Sequence, residues 1–310
     1  MNKTVLFFTG LLFFSGAQAQ TFLGQSNEDF GIRWTLALDD KTYPFSKVDD
    51  EQLRIVYRCR LSLMEKTPDP EPTVYYIGGQ RYVIESSGNP SGELKDRYYL
   101  QIGRNYTKFV SQCHFQSDSV FQAGGSFTVA QAFMNQRANA LFAQDCFLIQ
   151  QSHVTFMGRL GADDFLYEED LPDIHWAIQD TISSVCGYTC RLAEGVFRGR
   201  IYQVWFTEEI PVSAGPWKLR GLPGAILLAE DKEKKVLFQA EQVCPGRSGI
   251  MKTEYPFIRV KRTQYASLLE QKRADPGLFD ATHSSRGVPP VLLENRTVRS
   301  IPRFTVLELE

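Results

Sequence analysis

From Leu53 to Leu63 every odd position is apolar, Leu53, Ile55, Tyr57, Cys59, Leu61 and Leu63, and four of the five positions between them, Arg54, Arg58, Arg60 and Ser62, are polar. A period of two belongs to a strand with one face buried and the other wet, because successive strand side chains point to opposite faces. Eleven residues in this pattern leave no room for an amphipathic helix. They also place Cys59 on the core side.

The same rhythm recurs at Ile32, Trp34, Leu36 and Leu38. Thr73–Ile77 and Gln80–Ile84 flank Gly78-Gly79, a two-residue link whose glycines accept the positive φ that tight hairpins require. A second hairpin joins Tyr98–Ile102 to Tyr106–Cys113 through Gly103-Arg104-Asn105. Further strands are expected at 153–160, 164–168, 176–185, 191–196 and 200–207. Ala225–Ala229 and Lys235–Ala240 form a third hairpin about Asp231–Lys234.

Two stretches depart from this period. Thr128–Gln144 has no Gly or Pro and sets Val129, Phe133, Ala140 and Leu141 on one helical stripe. Thr263–Ala274 places Tyr265, Leu268 and Leu269 together before Asp275-Pro276-Gly277, a stop signal. The expected fold is mainly β: an antiparallel meander forming a curved sheet, open barrel or sandwich, covered by two amphipathic helices.

The start of the chain reads as an export label. Lys3 precedes an apolar run from Val5 to Phe14, and Ala17-Gln18-Ala19 is a small-x-small cleavage site before Gln20. The run is about half the ~20 residues a membrane-crossing helix needs. Residues 1–19 are therefore expected to be a signal peptide and 20–310 a single β-rich domain, with two halves split around 128–144 as the alternative. The mature chain should carry no transmembrane segment. A formal charge of −2 gives no field to gather nucleic acid.

Export favours disulfides among Cys59, Cys113, Cys146, Cys186, Cys190 and Cys244, although sequence cannot rank their fifteen pairings. Cys186-Gly-Tyr-Thr-Cys190 lacks the C-x-x-C spacing of redox motifs. Cys113 and His114, as neighbours on a strand, would face opposite ways, so no metal site is assigned. No cofactor is implied. The pairs Asp163-Asp164, Glu168-Glu169 and Glu208-Glu209 read as surface charge for the same reason. There is no G-x-S-x-G or H-E-x-x-H, and no residue is assigned as catalytic.

The most distinctive text runs from Arg200 to Leu228. A strand ending near Thr207 enters a loop stiffened by Pro211 and Pro216, and Gly221-Leu222-Pro223-Gly224 then sets a turn. Pro223 and Gly224 occupy the central positions of a type II turn, with Gly224 expected at positive φ. Glu208–Gly221 offers Trp217, Lys218, Arg220 and Glu208 as a contact surface, or else packs Trp217 beneath it.

This segment resembles the signature of the GLPGLI family, exported proteins of Bacteroidetes-type bacteria, with Ala225 where the family name has a second Leu. Leu100-Gln-Ile-Gly103, Lys108-Phe109 and Ser111 resemble the family's early strand pair, and Asp118-Ser119 its following turn. Tyr188-Thr-Cys190, Trp205-Phe-Thr207, Gly215-Pro216 and Leu307-Glu-Leu-Glu310 follow in the family's order.

The resemblance implies a β-rich protein of the periplasm or outer membrane, found near TonB-dependent receptors. It points to a non-enzymatic accessory or binding protein whose partner is an outer-membrane receptor or another envelope protein. A carrier of an apolar ligand in an open barrel, and a hydrolase with an unrecognised site, are the alternatives.

Overall fold

A computed structural model describes residues 45–62, 73–77, 80–84, 93–122, 146–160, 163–254, 257–274, 279 and 307–308. The export label, the strand expected at 32–38 and the helix expected at 128–144 lie outside the described residues.

The strands are β1 (Phe45–Asp50), β2 (Leu53–Ser62), β3 (Thr73–Ile77), β4 (Gln80–Ile84), β5 (Glu93–Ile102), β6 (Tyr106–Ser111), β7 (Cys146–Gln150) and β8 (His153–Leu160). They continue with β9 (Asp163–Asp170), β10 (Ala177–Val185), β11 (Tyr188–Phe197), β12 (Arg200–Thr207), β13 (Ala225–Asp231), β14 (Val236–Pro245), β15 (Gly249–Thr253) and β16 (Ile258–Arg259). Two helices, α1 (Gln112–Gln122) and α2 (Arg262–Ala274), complete the described elements.

Twelve strands form one sheet in the order β10-β11-β12-β13-β14-β2-β5-β6-β7-β8-β9-β16. Every pairing is antiparallel except β9 with the two-residue β16. The hairpin β3–β4 and the ribbon β1–β15 stand apart from this sheet. The expectation of a mainly β chain holds, the large sheet is not closed into a barrel, and of the two expected helices α2 is found where expected, whereas α1 was not expected.

The curvature follows from chain length. Laid flat, β9 and β10 would sit about 48 Å apart, ten steps of ~4.8 Å. Yet residues 171–176 alone connect them, and the seven steps from Asp170 to Ala177 reach at most about 25 Å. The sheet must curl until its two ends approach.

Alternation decides what each face holds. Ile55, Tyr57, Cys59 and Leu61 of β2, Tyr98, Leu100 and Ile102 of β5, and Phe156, Phe165 and Tyr167 of β8–β9 point inward into one large core. α2 lies against this face, with Tyr265 packed on Phe156 (4.8 Å between ring centroids) and Tyr167 (5.9 Å). The backbone N–H of Lys261 donates to Gln264 Oε1 at 2.8 Å, half of a capping box that fixes the start of α2.

Outward residues Val110, Cys146, Leu148, Met157 and Leu166 form a second, smaller core under the β1–β15 ribbon, where Ile250 is fully buried. Glu51 secures this ribbon: its carboxylate accepts from Arg54 Nε and Nη2 at 2.7 Å, from Ser248 Oγ at 2.9 Å and from Arg247 N at 3.1 Å. Asp49 binds the β5–β6 turn through the amides of Asn105 (2.6 Å) and Tyr106 (3.0 Å).

Several sequence expectations require correction. The strand beginning at Tyr106 ends at Ser111 rather than Cys113, and the turn expected at Asp118-Ser119 lies inside α1. The signal was Ser111, whose Oγ accepts from His114 N at 3.1 Å and so caps the helix. Cys113 and His114 are thus helical neighbours, not strand neighbours.

Gly224 does not occupy the left-handed region; Gly221 does, at φ 97°. A side chain is excluded at Gly224 by closeness instead, since a Cβ there would lie 2.0 Å from the carbonyl oxygen of Thr207.

Disulfides are absent: all six cysteines are thiols. Strand register sets a residue other than cysteine opposite four of them: Cys59 opposes Phe238 and Asp96, Cys244 opposes Arg54, Cys146 opposes Val110 and Met157, and Cys190 opposes Ser183. Burial pushes the Cys59 thiol well up and that of Cys190 up to about 11, away from reactive thiolate.

Candidate functional site

The loop between β12 and β13 fills the space enclosed by the curled sheet. Leu219 N donates to the carbonyl of Pro216 at 3.1 Å, closing a turn whose second residue, Trp217, sits at φ 56°. A bulky residue rarely adopts that conformation, and it persists only where its surroundings over-determine it. Here Trp217 is 2% exposed, edge-on to Phe197 of β11 (5.4 Å) and tilted against Tyr202 of β12 (6.5 Å).

The next residue, Lys218, is fully buried and points toward the opposite end of the sheet. Its ammonium donates to Glu169 Oε1 at 2.5 Å, to Glu308 Oε1, and to Tyr167 Oη at 3.3 Å. The rings of Tyr167 (5.4 Å), Trp217 (5.5 Å) and Phe147 (5.7 Å) surround it. A buried ammonium needs this compensation, because charge removed from water without partners is strongly unfavourable.

Two arginines complete the cluster. Arg198 Nη2 lies 2.6 Å from Glu169 Oε2, while Arg262 reaches Glu308 Oε2 (2.6 Å) with Nη1 and Glu169 Oε2 (3.4 Å) with Nε. Arg198 is delivered by the two-residue turn Arg198-Gly199, whose φ values of 51° and 77° suit a tight hairpin between β11 and β12. Beside this cluster, Arg200 Nη1 pairs with Asp231 Oδ2 at 2.8 Å, both buried. The Tyr202 hydroxyl and Arg198 Nε are buried without a hydrogen-bond partner among the described residues. Burial drives the Tyr202 hydroxyl far above its ordinary range.

Of the residues expected to offer a contact surface, Trp217 and Lys218 are therefore interior. Glu208 is exposed and accepts from Arg191 Nη1 at 3.3 Å. Arg220 is half-buried; its carbonyl accepts from Trp176 Nε1 at 2.7 Å, tying residues 171–176 to the loop. Leu222 is buried and Pro223 exposed, and Gly221 N donates to Ser213 Oγ at 2.9 Å.

Sequence reasoning missed Glu169, read as surface charge. On β9 Phe165, Tyr167 and Glu169 share the inward face whereas Glu168 faces out to Arg259 (3.2 Å). Asp164 likewise is buried and engages Arg159 Nε at 2.6 Å.

The outer face holds a second buried lysine. Lys108 Nζ donates to the carbonyl of Met251 at 2.9 Å and lies 3.5 Å from Asp118 Oδ2; His114 Nε2 is 3.5 Å from Asp118 Oδ1. Nearby, a polar groove of about 270 Å³ opens between the ribbon and β6–β9, lined by Tyr106, Gln150, His153, Glu168, Lys252 and Glu254. His153 Nδ1 sits 3.0 Å from Asp170 Oδ1 at the surface. Among the described residues no three His, Cys, Asp or Glu side chains group as metal ligands. No helix among them is long and apolar enough to cross a membrane.

Residues 198–228 match the family model described as "Protein of unknown function (Porph_ging)". That family is associated with Bacteroidetes. The matched stretch supplies Arg198, Arg200, Tyr202, Trp217, Lys218 and the turn 221–224. No curated protein matches the chain. Among solved structures, the chain is similar to PNGF-II in its C2 crystal form (11% identity, TM-score 0.45) and in its P21 form (12% identity, TM-score 0.46). Each likeness covers 72% of this chain and about a third of the PNGF-II chain, 33% and 34% respectively.

Proposed function

We propose that the protein is an exported, non-enzymatic accessory protein of the periplasm or outer membrane, and that it holds an extended segment of a partner along the open edge of β10. The observation carrying this reading is the edge itself. β10 pairs with β11 on one side, and among the described residues no strand pairs its other side. Eight of its nine residues are exposed.

Exposed apolar side chains lie along it, Ile178 and Ile182 on β10, and a directly opposed pair, Val196 on β11 and Ile201 on β12, is exposed on the next two strands. An unpaired edge offers main-chain hydrogen bonds to an added strand, and neighbouring apolar side chains supply selectivity. The resemblance to GLPGLI proteins and the export label favour an envelope partner, a TonB-dependent receptor in the first instance.

A photo-reactive residue at Ile182 tests this in the native envelope, with the same residue at Lys47 on the outer ribbon as control. A receptor cross-link that forms from position 182, not from 47, and is lost with Ile178→Lys supports the reading. Equal labelling from both positions would refute it.

A further inference from the structure

The groove between the β1–β15 ribbon and β6–β9 holds about 270 Å³, close to the lower end of the roughly 300–1,000 Å³ that small-molecule sites occupy. Its roof is the ribbon. Ile250 and Lys252 share one face of β15 by strand alternation, and Glu254 follows in the same phase. Ile250 is sunk in the outer core, whereas Lys252 and Glu254 line the open part of the groove. The floor is a row of directly opposed residues, Tyr106 of β6, Gln150 of β7 and His153 of β8, beside an apolar wall of Val48 and Leu148.

Four charged or titratable side chains line this groove, and two of them are already engaged. Glu168 is met by Arg259 at 3.2 Å and His153 by Asp170 at 3.0 Å. Glu254 Oε1 accepts from Ser46 Oγ at 2.7 Å, which orients the carboxylate without neutralising it. Among the described residues no anion pairs with Lys252, no cation pairs with Glu254, and the two do not pair with each other. The side-chain amide of Gln150 is likewise unengaged among them.

An ammonium and a carboxylate that share a groove without meeting are complementary to a ligand carrying both opposite charges. A simple anion would meet the like charge of Glu254, and a simple cation that of Lys252. Charge-assisted hydrogen bonds are about twice as strong as neutral ones, and walls that exclude part of the solvent strengthen them further.

We propose that this groove binds a zwitterionic amino compound, a free amino acid or a dipeptide. Its carboxylate lies on Lys252 and Gln150, and its ammonium on Glu254. Val48, Leu148 and the Tyr106 ring receive an apolar side chain. The site takes a small molecule and is independent of the β10 edge.

Calorimetric titration of the intact chain with leucyl-leucine, and with its N-acetylated and C-amidated forms, tests this. The free dipeptide binds saturably, and each blocked form, having lost one charge, binds at least about tenfold more weakly. Lys252→Gln weakens binding of the free dipeptide and abolishes its advantage over the amide while keeping its advantage over the acetylated form; Glu254→Gln does the reverse. Neither side chain belongs to a core, so both variants keep the wild-type fold by circular dichroism. Failure of leucyl-leucine to bind saturably at millimolar concentration, equal binding of free and blocked forms, or variants that bind all three as the wild type does, would overturn the proposal.

Discussion

Two lysines are buried among the described residues, and they are buried differently. Lys108 stands on the outer face with Asp118 ten residues away and a neighbouring carbonyl for company. Lys218 stands inside the curl with partners 49 and 90 residues distant and three rings around it. The first arrangement fastens a helix to the strand that precedes it. The second joins opposite ends of a twelve-stranded sheet, so its loss should be felt across the whole fold.

The sharpest way to break this comparison is to truncate each lysine. Lys218→Ala leaves Glu169 and Glu308 to Arg198 and Arg262 alone and opens a void among three rings, and should cost about 3–5 kcal/mol in urea unfolding, whereas Lys218→Met, which keeps the apolar volume, should cost less. Lys108→Ala should cost only about 1–3 kcal/mol, because Asp118 retains His114. Equal losses would mean that the inner cluster has no special reach.

Trp217→Ala should fall in the same upper range, about 3–5 kcal/mol, by opening a void between Phe197 and Tyr202. Calorimetry would register it as a lower Tm.

Acid should act on the outer face through Asp118 and Glu51. Burial alone would raise the carboxyl of Asp118, but His114 and Lys108 outweigh it and hold it below the usual carboxylate range; burial is likewise outweighed at Glu51 by Arg54 and Arg247. Folded-state pKa values below the unfolded ones give stability that is complete above about pH 4 and is lost as pH falls through the lowered values. Asp118→Asn should therefore lower stability at pH 7 and flatten its acid limb in urea unfolding measured from pH 7 to pH 2.

The smallest effect is expected at the edge. Ile182, 66% exposed, can become Lys within about 0.5 kcal/mol of wild-type stability. A large drop in Tm would show that β10 is covered.

The contrast also explains what the sequence could disclose. Strand alternation lies within ten residues, so β2, β8 and β12 are readable, with β8 and β12 matching residue for residue. The β1 and β15 ribbon escaped because Phe45–Asp50 and Gly249–Thr253 mix Lys, Asp and Gly with few apolar positions. α1 escaped because its evidence was one serine cap rather than an apolar stripe.

The Gly221–Gly224 turn was visible as a motif, but its reason was not: the close approach to Thr207 depends on the β12–β13 pairing. Nothing local marks Lys218 as interior. Its partners sit on β9 and near the end of the chain, and only the curl brings them together.

The central claim is that Lys218 and Glu169 couple the two ends of the sheet. A double-mutant cycle of Lys218→Met and Glu169→Gln, read by urea unfolding, tests it most directly. The account predicts an interaction energy above about 1 kcal/mol. Additivity within about 0.3 kcal/mol would contradict it.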